Sequence, residues 1–129
     1  MIRSLAPADT RHVVVLGASP KPHRYSYQAV QLLHDTGHQV TPVHPRAEEV
    51  AGIRVTAHLD QVRQPVHTVT LYVGPDRLEP LADQLVSLNP QRVIFNPGSE
   101  SGDVQRQLTA AGIDWFEACT LVMLRTDTF

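Results

Sequence analysis

Short apolar runs alternate with helix-type patterns along this chain. Val13-Val14-Val15-Leu16 is a continuous, largely β-branched run that ends at Gly17, which is typical of a strand buried on both faces of a parallel sheet. Further runs of strand character lie at residues 66–73, 93–95 and 113–116. The alternation of strands and helices predicts βαβ units, and therefore a Rossmann-like three-layer α/β fold with a five-stranded, mainly parallel sheet.

The second strand and the segment after it have a weaker pattern. Val40 and Val43 predict a strand that ends at His44, but Pro42 cannot donate an N–H to a ladder, so we expect this strand to be shortened or distorted. Gly52-Ile53 predicts a turn, and residues 56–62 predict a short helix.

The helices are predicted from apolar spacing and from their end signals. Asp76 and Glu79 resemble a capping box, with Pro80 in the first turn of the same helix and Asn89-Pro90 at its end. The other two helices are marked by these apolar residues and stops: Ala29, Val30, Leu32 and Leu33 before Gly37, and Val104, Leu108 and Ala111 before Gly112. Residues 118–124 form an apolar closing segment.

Composition adds limits on the class of protein. At 129 residues, without a repeat or an interdomain linker, the chain is expected to form a single domain over residues 1–129. A net charge of −2 gives no reason to expect a nucleic-acid or membrane partner, so any anion site must be local. With one cysteine, no signal-like stretch in residues 1–7 and no apolar run of ~18 residues, we expect a cytoplasmic protein.

Four predicted strand ends carry distinctive tripeptides, and in open parallel sheets ligands bind at those ends. Glycine lets a backbone approach a ligand, and a following helix N-terminus offers free N–H groups to an anion. Because Lys21 and Arg24 lie in its loop, the first of these turns is predicted to bind phosphate. The tripeptides are Gly17-Ala18-Ser19, His44-Pro45-Arg46, Gly74-Pro75-Asp76 and Asn96-Pro97-Gly98.

The sequence does not fit the usual dinucleotide fingerprint. A G-x-G-x-x-G motif that starts at Gly17 would need glycine where Ser19 and Pro22 stand. An NAD enzyme usually has an acidic residue at the end of the second strand, where this chain has Arg46. Because guanidinium binds phosphate well, Arg46 favours a ligand with a phosphate on its adenosine ribose, either coenzyme A or NADP.

Several of these segments together resemble the stand-alone CoA-binding domain family, which is related to the CoA-binding domain of the succinyl-CoA synthetase alpha subunit. The opening VVVLGASPKPHRYS (residues 13–26) carries the resemblance, which extends over roughly residues 11–129. The segment PVHPR (residues 42–46) is similar to the second-strand segment of the family, in which the position of His44 is usually asparagine. FNPGSE (95–100) and ACTLVML (118–124) are also similar.

The resemblance implies a site for coenzyme A or an acyl-CoA. It would place the pyrophosphate at Gly17, Ala18, Ser19, Lys21 and Arg24. The adenosine and its ribose phosphate would lie beside His44, Pro45 and Arg46, and the adenine side would be lined by Tyr72, Val73, Gly74 and Pro75. The pantetheine arm would face Asn96, Pro97 and Gly98.

Other chemistry has less support in the sequence. Seven histidines occur without HExxH or a cysteine pair, which disfavours a metal site, and Cys119 in its apolar run is expected to be a core residue. No GxSxG elbow is present. We therefore expect a non-catalytic module that binds coenzyme A or an acyl-CoA. The alternatives are an NADP-linked oxidoreductase and an interaction subunit of an acyl-CoA synthetase.

Overall fold

A computed structural model describes residues 9–129, so the prediction made for residues 1–7 lies outside the described part. The strands are β1 His12–Leu16, β2 Gln39–Val43, β3 Glu49–Val50, β4 Ile53–Arg54, β5 Thr68–Leu71, β6 Arg92–Phe95 and β7 Asp114–Glu117. The helices are α1 Tyr25–Thr36, α2 Pro75–Leu78, α3 Ala82–Leu88, α4 Gly102–Ala110 and α5 Thr120–Arg125, with 3₁₀ turns at Leu59–Gln61 and Glu79–Leu81.

Five strands form one parallel sheet in the order β2-β1-β5-β6-β7, and β3 pairs with β4 in a separate antiparallel hairpin. This confirms the predicted Rossmann-like α/β fold. The chain runs outward from β1 to β2 and then returns to the other side of β1 as β5. The direction of winding therefore reverses between β1 and β5, and ligands of such sheets bind at the carboxyl end of that reversal.

The sheet is buried on both faces because helices pack on each of them, and successive side chains of each strand point to opposite faces. Val14 and Leu16 belong to the core beneath α2, α3 and α4, whereas Val13 and Val15 belong to the core beneath α1 and α5. This alternation explains why β1 is a continuous apolar run and why the fold has three layers. Among the described helices, none is long and apolar enough to span a bilayer.

The expectation that Pro42 shortens or distorts the second strand was wrong. β2 runs through Pro42, which is paired in register with Val15 of β1. The Pro42 carbonyl accepts a hydrogen bond from the Thr56 N–H (2.9 Å), so this carbonyl points away from β1. Because β2 is an edge strand, the missing N–H removes no bond of the main sheet.

The segment after β2 also differs from its prediction. Its turn is at Ala51 and Gly52, both with positive φ (51° and 79°), and it joins β3 to β4. A two-residue turn of this kind suits a hairpin. The helix predicted for residues 56–62 is only the 3₁₀ turn Leu59–Gln61, and the strand predicted for residues 66–73 is confined to β5.

The predicted capping box of Asp76 and Glu79 does not form. Gly74 is the N-cap of α2, with no side-chain cap, and the Glu79 carboxylate accepts instead from the Ser101 hydroxyl (2.9 Å) at the start of α4. Pro80 lies in a 3₁₀ turn that separates α2 from α3, rather than in the first turn of one longer helix. The ends at Gly37, Asn89 and Gly112 are confirmed, since all three have positive φ next to a helix end.

A basic cluster occupies the amino end of the sheet, opposite the end where ligands of such folds bind. Burial is the largest cause of lowered pKa values for His38 and His67, and the neighbouring guanidinium groups of Arg11 and Arg92 lower them further. The pKa of His67 falls to about 4. His38 accepts from the backbone N–H of Arg11 at Nδ1 (3.1 Å), which requires an unprotonated nitrogen there.

These histidines should make the fold sensitive to acid. Between about pH 6.5 and pH 4, His67 is protonated in the unfolded chain but remains neutral in the folded chain. The free energy of unfolding therefore has its full value above about pH 6.5 and falls as the pH drops towards 4. For His67, which is partly exposed, we expect a loss of about 1–2 kcal/mol after allowance for solvent screening. Urea unfolding at about pH 7 and about pH 4.5 would measure it. His67→Gln should reduce this difference, whereas His34→Gln on the exposed side of α1 should not; equal pH dependence in all three proteins would contradict the prediction.

Candidate functional site

A cleft of about 1370 Å³ opens at the carboxyl ends of β1, β2 and β5, where the winding of the sheet reverses. Three of the four predicted strand-end turns contribute several residues to it, and the fourth contributes only Pro97. Of the fifteen residues predicted for the site, these line the cleft: Gly17, Ser19, Lys21, Arg24, His44, Pro45, Arg46, Tyr72, Val73, Gly74, Pro75 and Pro97.

Gly17 packs tightly against Tyr72 and Val73, the two residues that follow β5. Its φ of +87° is unfavourable for residues with a side chain, and a Cβ at this position would lie 2.7 Å from Val73 Cγ1 and 2.8 Å from the Tyr72 carbonyl oxygen. Glycine is therefore required here both by conformation and by packing. The next residue, Ala18, is fully buried in the core beneath α1 and does not line the cleft.

The backbone N–H groups of the glycine turn are already used within the protein. Those of Gly17 and Ala18 both donate to the Val43 carbonyl (3.1 and 3.2 Å), and that of Ser19 donates to the Ser26 hydroxyl (3.0 Å). The Ser19 hydroxyl in turn accepts from the Lys21 N–H (3.1 Å). The turn therefore orders the loop, and its N–H groups are not free to surround an anion in this conformation.

Free donors lie one step further along, at the start of α1. Among the described residues, no acceptor pairs with the backbone N–H groups of Tyr25, Ser26 and Tyr27. The first turn of α1 also contains no acidic side chain. A helix start of this kind favours an anion, because its N–H groups and its dipole both point towards that end.

The charge around the cleft is strongly positive although the protein as a whole is slightly negative. Four permanent cations line the cleft, whereas Asp76 is the acidic side chain among its lining residues. The net charge of the whole chain is −2. Positive charge is therefore concentrated at this cleft, as expected for a site that takes a polyanion. The four cations are Lys21, Arg24, Arg46 and Arg77.

His44 organises the turn that carries Arg46. Its Nδ1 accepts from the backbone N–H of Arg46 (3.0 Å) and of Ala47 (2.9 Å), and its own backbone N–H donates to the Thr56 carbonyl (3.2 Å). Arg46 is exposed at the rim of the cleft. The turn is thus fixed by a side chain, while the guanidinium remains available.

Tyr72 forms the wall on the other side of Gly17. Its ring packs against the core beneath α1, and its hydroxyl is buried without a hydrogen-bond partner of good geometry among the described residues. Burial raises the pKa of this phenol, and the neighbouring Cys119 thiol adds to the increase. Tyr72 therefore stays neutral at physiological pH and presents an apolar surface to the cleft.

Asn96 and Gly98 lie outside the cleft lining. Asn96 is 2% exposed, and its amide is fully engaged: Nδ2 donates to Thr70 Oγ1 (2.6 Å) and the Leu71 carbonyl (2.9 Å), while Oδ1 accepts from the Thr120 N–H (2.8 Å). Gly98 is exposed, and its N–H donates to the Glu100 carboxylate (2.9 Å). In this arrangement Asn96 joins β5, β6 and α5.

The far wall of the cleft contains residues that the sequence analysis missed. The segment Ala57-His58-Leu59 follows β4, and Leu81 and Gln84 come from the interrupted helix after β5. Their segments lacked clear periodicity or were interpreted as ordinary helix, so no local signal marked them. Cys119 is only partly buried, so the expectation of a core residue was too strong. Within residues 9–129 no group of three metal-ligating side chains comes together.

Comparison with known proteins identifies the family of this chain. The family described as the CoA binding domain matches residues 11–125. A solved structure described as an uncharacterized protein shares 38% sequence identity, with a TM-score of 0.88, over 93% of this chain and 98% of its own. The uncharacterized protein YneT of Bacillus subtilis is 23% identical over 77 residues, which is 60% of this chain and only 57% of that protein.

One further solved structure is similar to this chain in its fold alone. The dinucleotide-forming acetyl-coenzyme A synthetase 1 of Ca. Korarchaeum cryptofilum, solved with phosphate and ADP, shares 18% identity with a TM-score of 0.71. The similar region covers 82% of this chain but 25% of that one. The match to the family extends from β1 through α5, across the whole sheet and the cleft. This chain therefore belongs to the CoA-binding domain family.

Proposed function

We propose that this protein is a single-domain module that binds coenzyme A or an acyl-CoA in the cleft at the sheet reversal. The observation that carries the proposal is the grouping of four cations and an unpaired helix start around this one cleft. Coenzyme A carries a pyrophosphate and a ribose phosphate, so it offers several anionic groups to such a surface. The cleft volume of about 1370 Å³ exceeds that of usual small-ligand pockets, which suits a long ligand.

The geometry supports one orientation of the ligand. The pyrophosphate would lie at the start of α1, with Lys21 and Arg24 beside it, next to the turn that begins at Gly17. The adenosine would lie between the ends of β2 and β5, next to the apolar wall formed by Tyr72 and Val73.

Arg46 is the residue proposed to meet the ribose phosphate, because it stands exposed at the rim after β2. Arg46→Ala should weaken binding of CoA more than binding of dephospho-CoA, by roughly 1–3 kcal/mol for a lost charge-assisted contact. Isothermal titration of both ligands would measure the difference. Arg125→Ala, which removes an exposed cation from the end of α5, is the matched control. Equal losses for both ligands would remove Arg46 from this role.

We also propose that the ligand is held without being transformed. Among the described residues that line the cleft, no hydroxyl is hydrogen-bonded to a histidine or a carboxylate, as an activated nucleophile would require. Incubation with acetyl-CoA followed by mass spectrometry of the nucleotide tests this point. Recovery of unchanged acetyl-CoA is expected, and release of CoA above the rate in buffer would overturn it.

The decisive experiment is a titration of the purified protein with CoA and NADPH side by side. Saturable heat with CoA and much weaker binding of NADPH are expected. Preference for NADPH would favour the oxidoreductase alternative. No saturable binding of CoA even at about millimolar ligand, a range that corresponds to roughly 4 kcal/mol of binding energy, would overturn the proposed function.

A further inference from the structure

We propose that His44 is a positioning residue that uses one ring nitrogen to fix the turn after β2 and presents the other, together with Arg46, to a phosphate monoester of the ligand. This inference rests on the proposed function, because it names how one end of that ligand is recognised.

The hydrogen bonds at Nδ1 determine the tautomer of the His44 ring. Two backbone N–H groups, those of Arg46 and Ala47, converge on Nδ1 at 3.0 and 2.9 Å. They can donate only to a lone pair, so Nδ1 is unprotonated and the hydrogen of the neutral ring lies on Nε2. In this way His44 stabilises a tight turn, as the side-chain oxygen of asparagine or aspartate does in other loops.

The other ring nitrogen of His44, Nε2, is accessible from the cleft. His44 lines the cleft, and Nε2 has no hydrogen-bond partner among the described residues. His44 is partly exposed and Nε2 is not buried, so solvent or a ligand can reach this nitrogen. Nε2 is therefore a free N–H donor whose direction is fixed by the two bonds at the opposite nitrogen.

A hydrogen bond from the backbone joins Arg46 to the His44 ring. One of the backbone N–H groups that donate to Nδ1 belongs to Arg46, which is itself exposed and lines the cleft. Loss of the ring acceptor would remove the hydrogen bonds that hold the backbone of Arg46 and Ala47. The Arg46 side chain would then no longer extend from a fixed backbone position. A neutral N–H donor and a cation held in one turn suit the dianionic end of a phosphate monoester better than a single-charged diester.

The free protein tests the first half of the inference by NMR. The two-bond correlation of ring protons with nitrogens should show the tautomer with hydrogen on Nε2. The amide protons of Arg46 and Ala47 should exchange slowly in the wild type and in His44→Asn, which keeps a side-chain acceptor, and faster in His44→Ala. Hydrogen on Nδ1, or unchanged exchange in His44→Ala, would overturn the positioning role.

Ligand titration tests the second half. His44→Ala should weaken CoA about tenfold or more and dephospho-CoA distinctly less, since only the former carries the monoester. His44→Asn should stay within a few-fold of the wild type, and His44→Asp should keep the turn yet disfavour CoA by charge. His34→Asn, on exposed α1 surface, should change neither ligand.

The outcomes separate the two proposals. If the wild type fails to bind CoA, the proposed function falls regardless of the ring tautomer. If the wild type binds CoA and His44→Ala weakens CoA and dephospho-CoA equally, the proposed function stands and the role of His44 at the monoester is overturned.

Discussion

Replacement of Gly17 by alanine is expected to destabilise the protein by about 3 kcal/mol or more and to abolish ligand binding. A left-handed φ costs a residue with a side chain about 1–2 kcal/mol. The new Cβ would in addition lie 2.7 Å from Val73 Cγ1 and 2.8 Å from a backbone oxygen of Tyr72, so β1 and β5 must separate at the reversal. Urea unfolding gives the stability, and titration with CoA gives the binding.

Gly112→Ala provides the matched control for this prediction. Gly112 has a similar φ of +75°, but a Cβ there would meet nothing within 4 Å, and it lies away from the cleft at the end of α4. It should lose only the conformational part, about 1 kcal/mol, and keep its affinity for CoA. If both variants lose the same stability, the close packing of Gly17 against β5 does not contribute.

Replacement of Asn96 by alanine is expected to cost about 3–4 kcal/mol of stability, which is comparable to the loss of a large core side chain. Each of the three amide bonds contributes roughly 1 kcal/mol, and unpaired groups left in a buried position add to the loss. The two backbone partners, the Leu71 carbonyl and the Thr120 N–H, also fix which side-chain atom is oxygen and which is nitrogen. Thermal or urea unfolding would measure the effect.

Ser99→Ala tests whether the effect belongs to the Asn96 amide or to its turn. Ser99 is equally buried and makes one side-chain bond, from its hydroxyl to the Asn96 carbonyl (2.7 Å). Its loss should cost about 1 kcal/mol. If Asn96 instead contacts the ligand, as the family resemblance implied, Asn96→Ala should keep full stability and lose only its affinity for CoA. That result would contradict the role of Asn96 in linking β5, β6 and α5 by hydrogen bonds.

The main architecture could be predicted from the sequence because it depends on signals that lie within one segment. The run that forms β1, the glycine after it and the spacing in α1 each report burial or backbone conformation locally. Pro42 was misinterpreted because the cost of a missing N–H depends on whether the strand lies at an edge. The position of a strand in its sheet is a property of the whole chain.

At the candidate site, too, local features could be predicted from sequence, whereas contacts between distant segments could not. The residues of the strand-end turns could be named from sequence, but their donor groups could not be assigned. The N–H groups of Gly17 and Ala18 are taken by Val43 of the neighbouring strand, which the pattern of the first turn does not reveal. In the same way, Glu79 was expected to cap its own helix, but its carboxylate accepts instead from the hydroxyl of Ser101, the N-cap of α4.

The position of Pro42 in the edge strand β2 affects how copies of this protein can associate. An exposed edge strand normally offers a row of backbone donors and acceptors on which a strand from another molecule can add. At β2, proline supplies no donor, its carbonyl is bound by Thr56, and the Val43–Thr56 bridge covers the rest of that end. The strand beside the binding cleft is therefore protected against the edge-to-edge association that leads to aggregation.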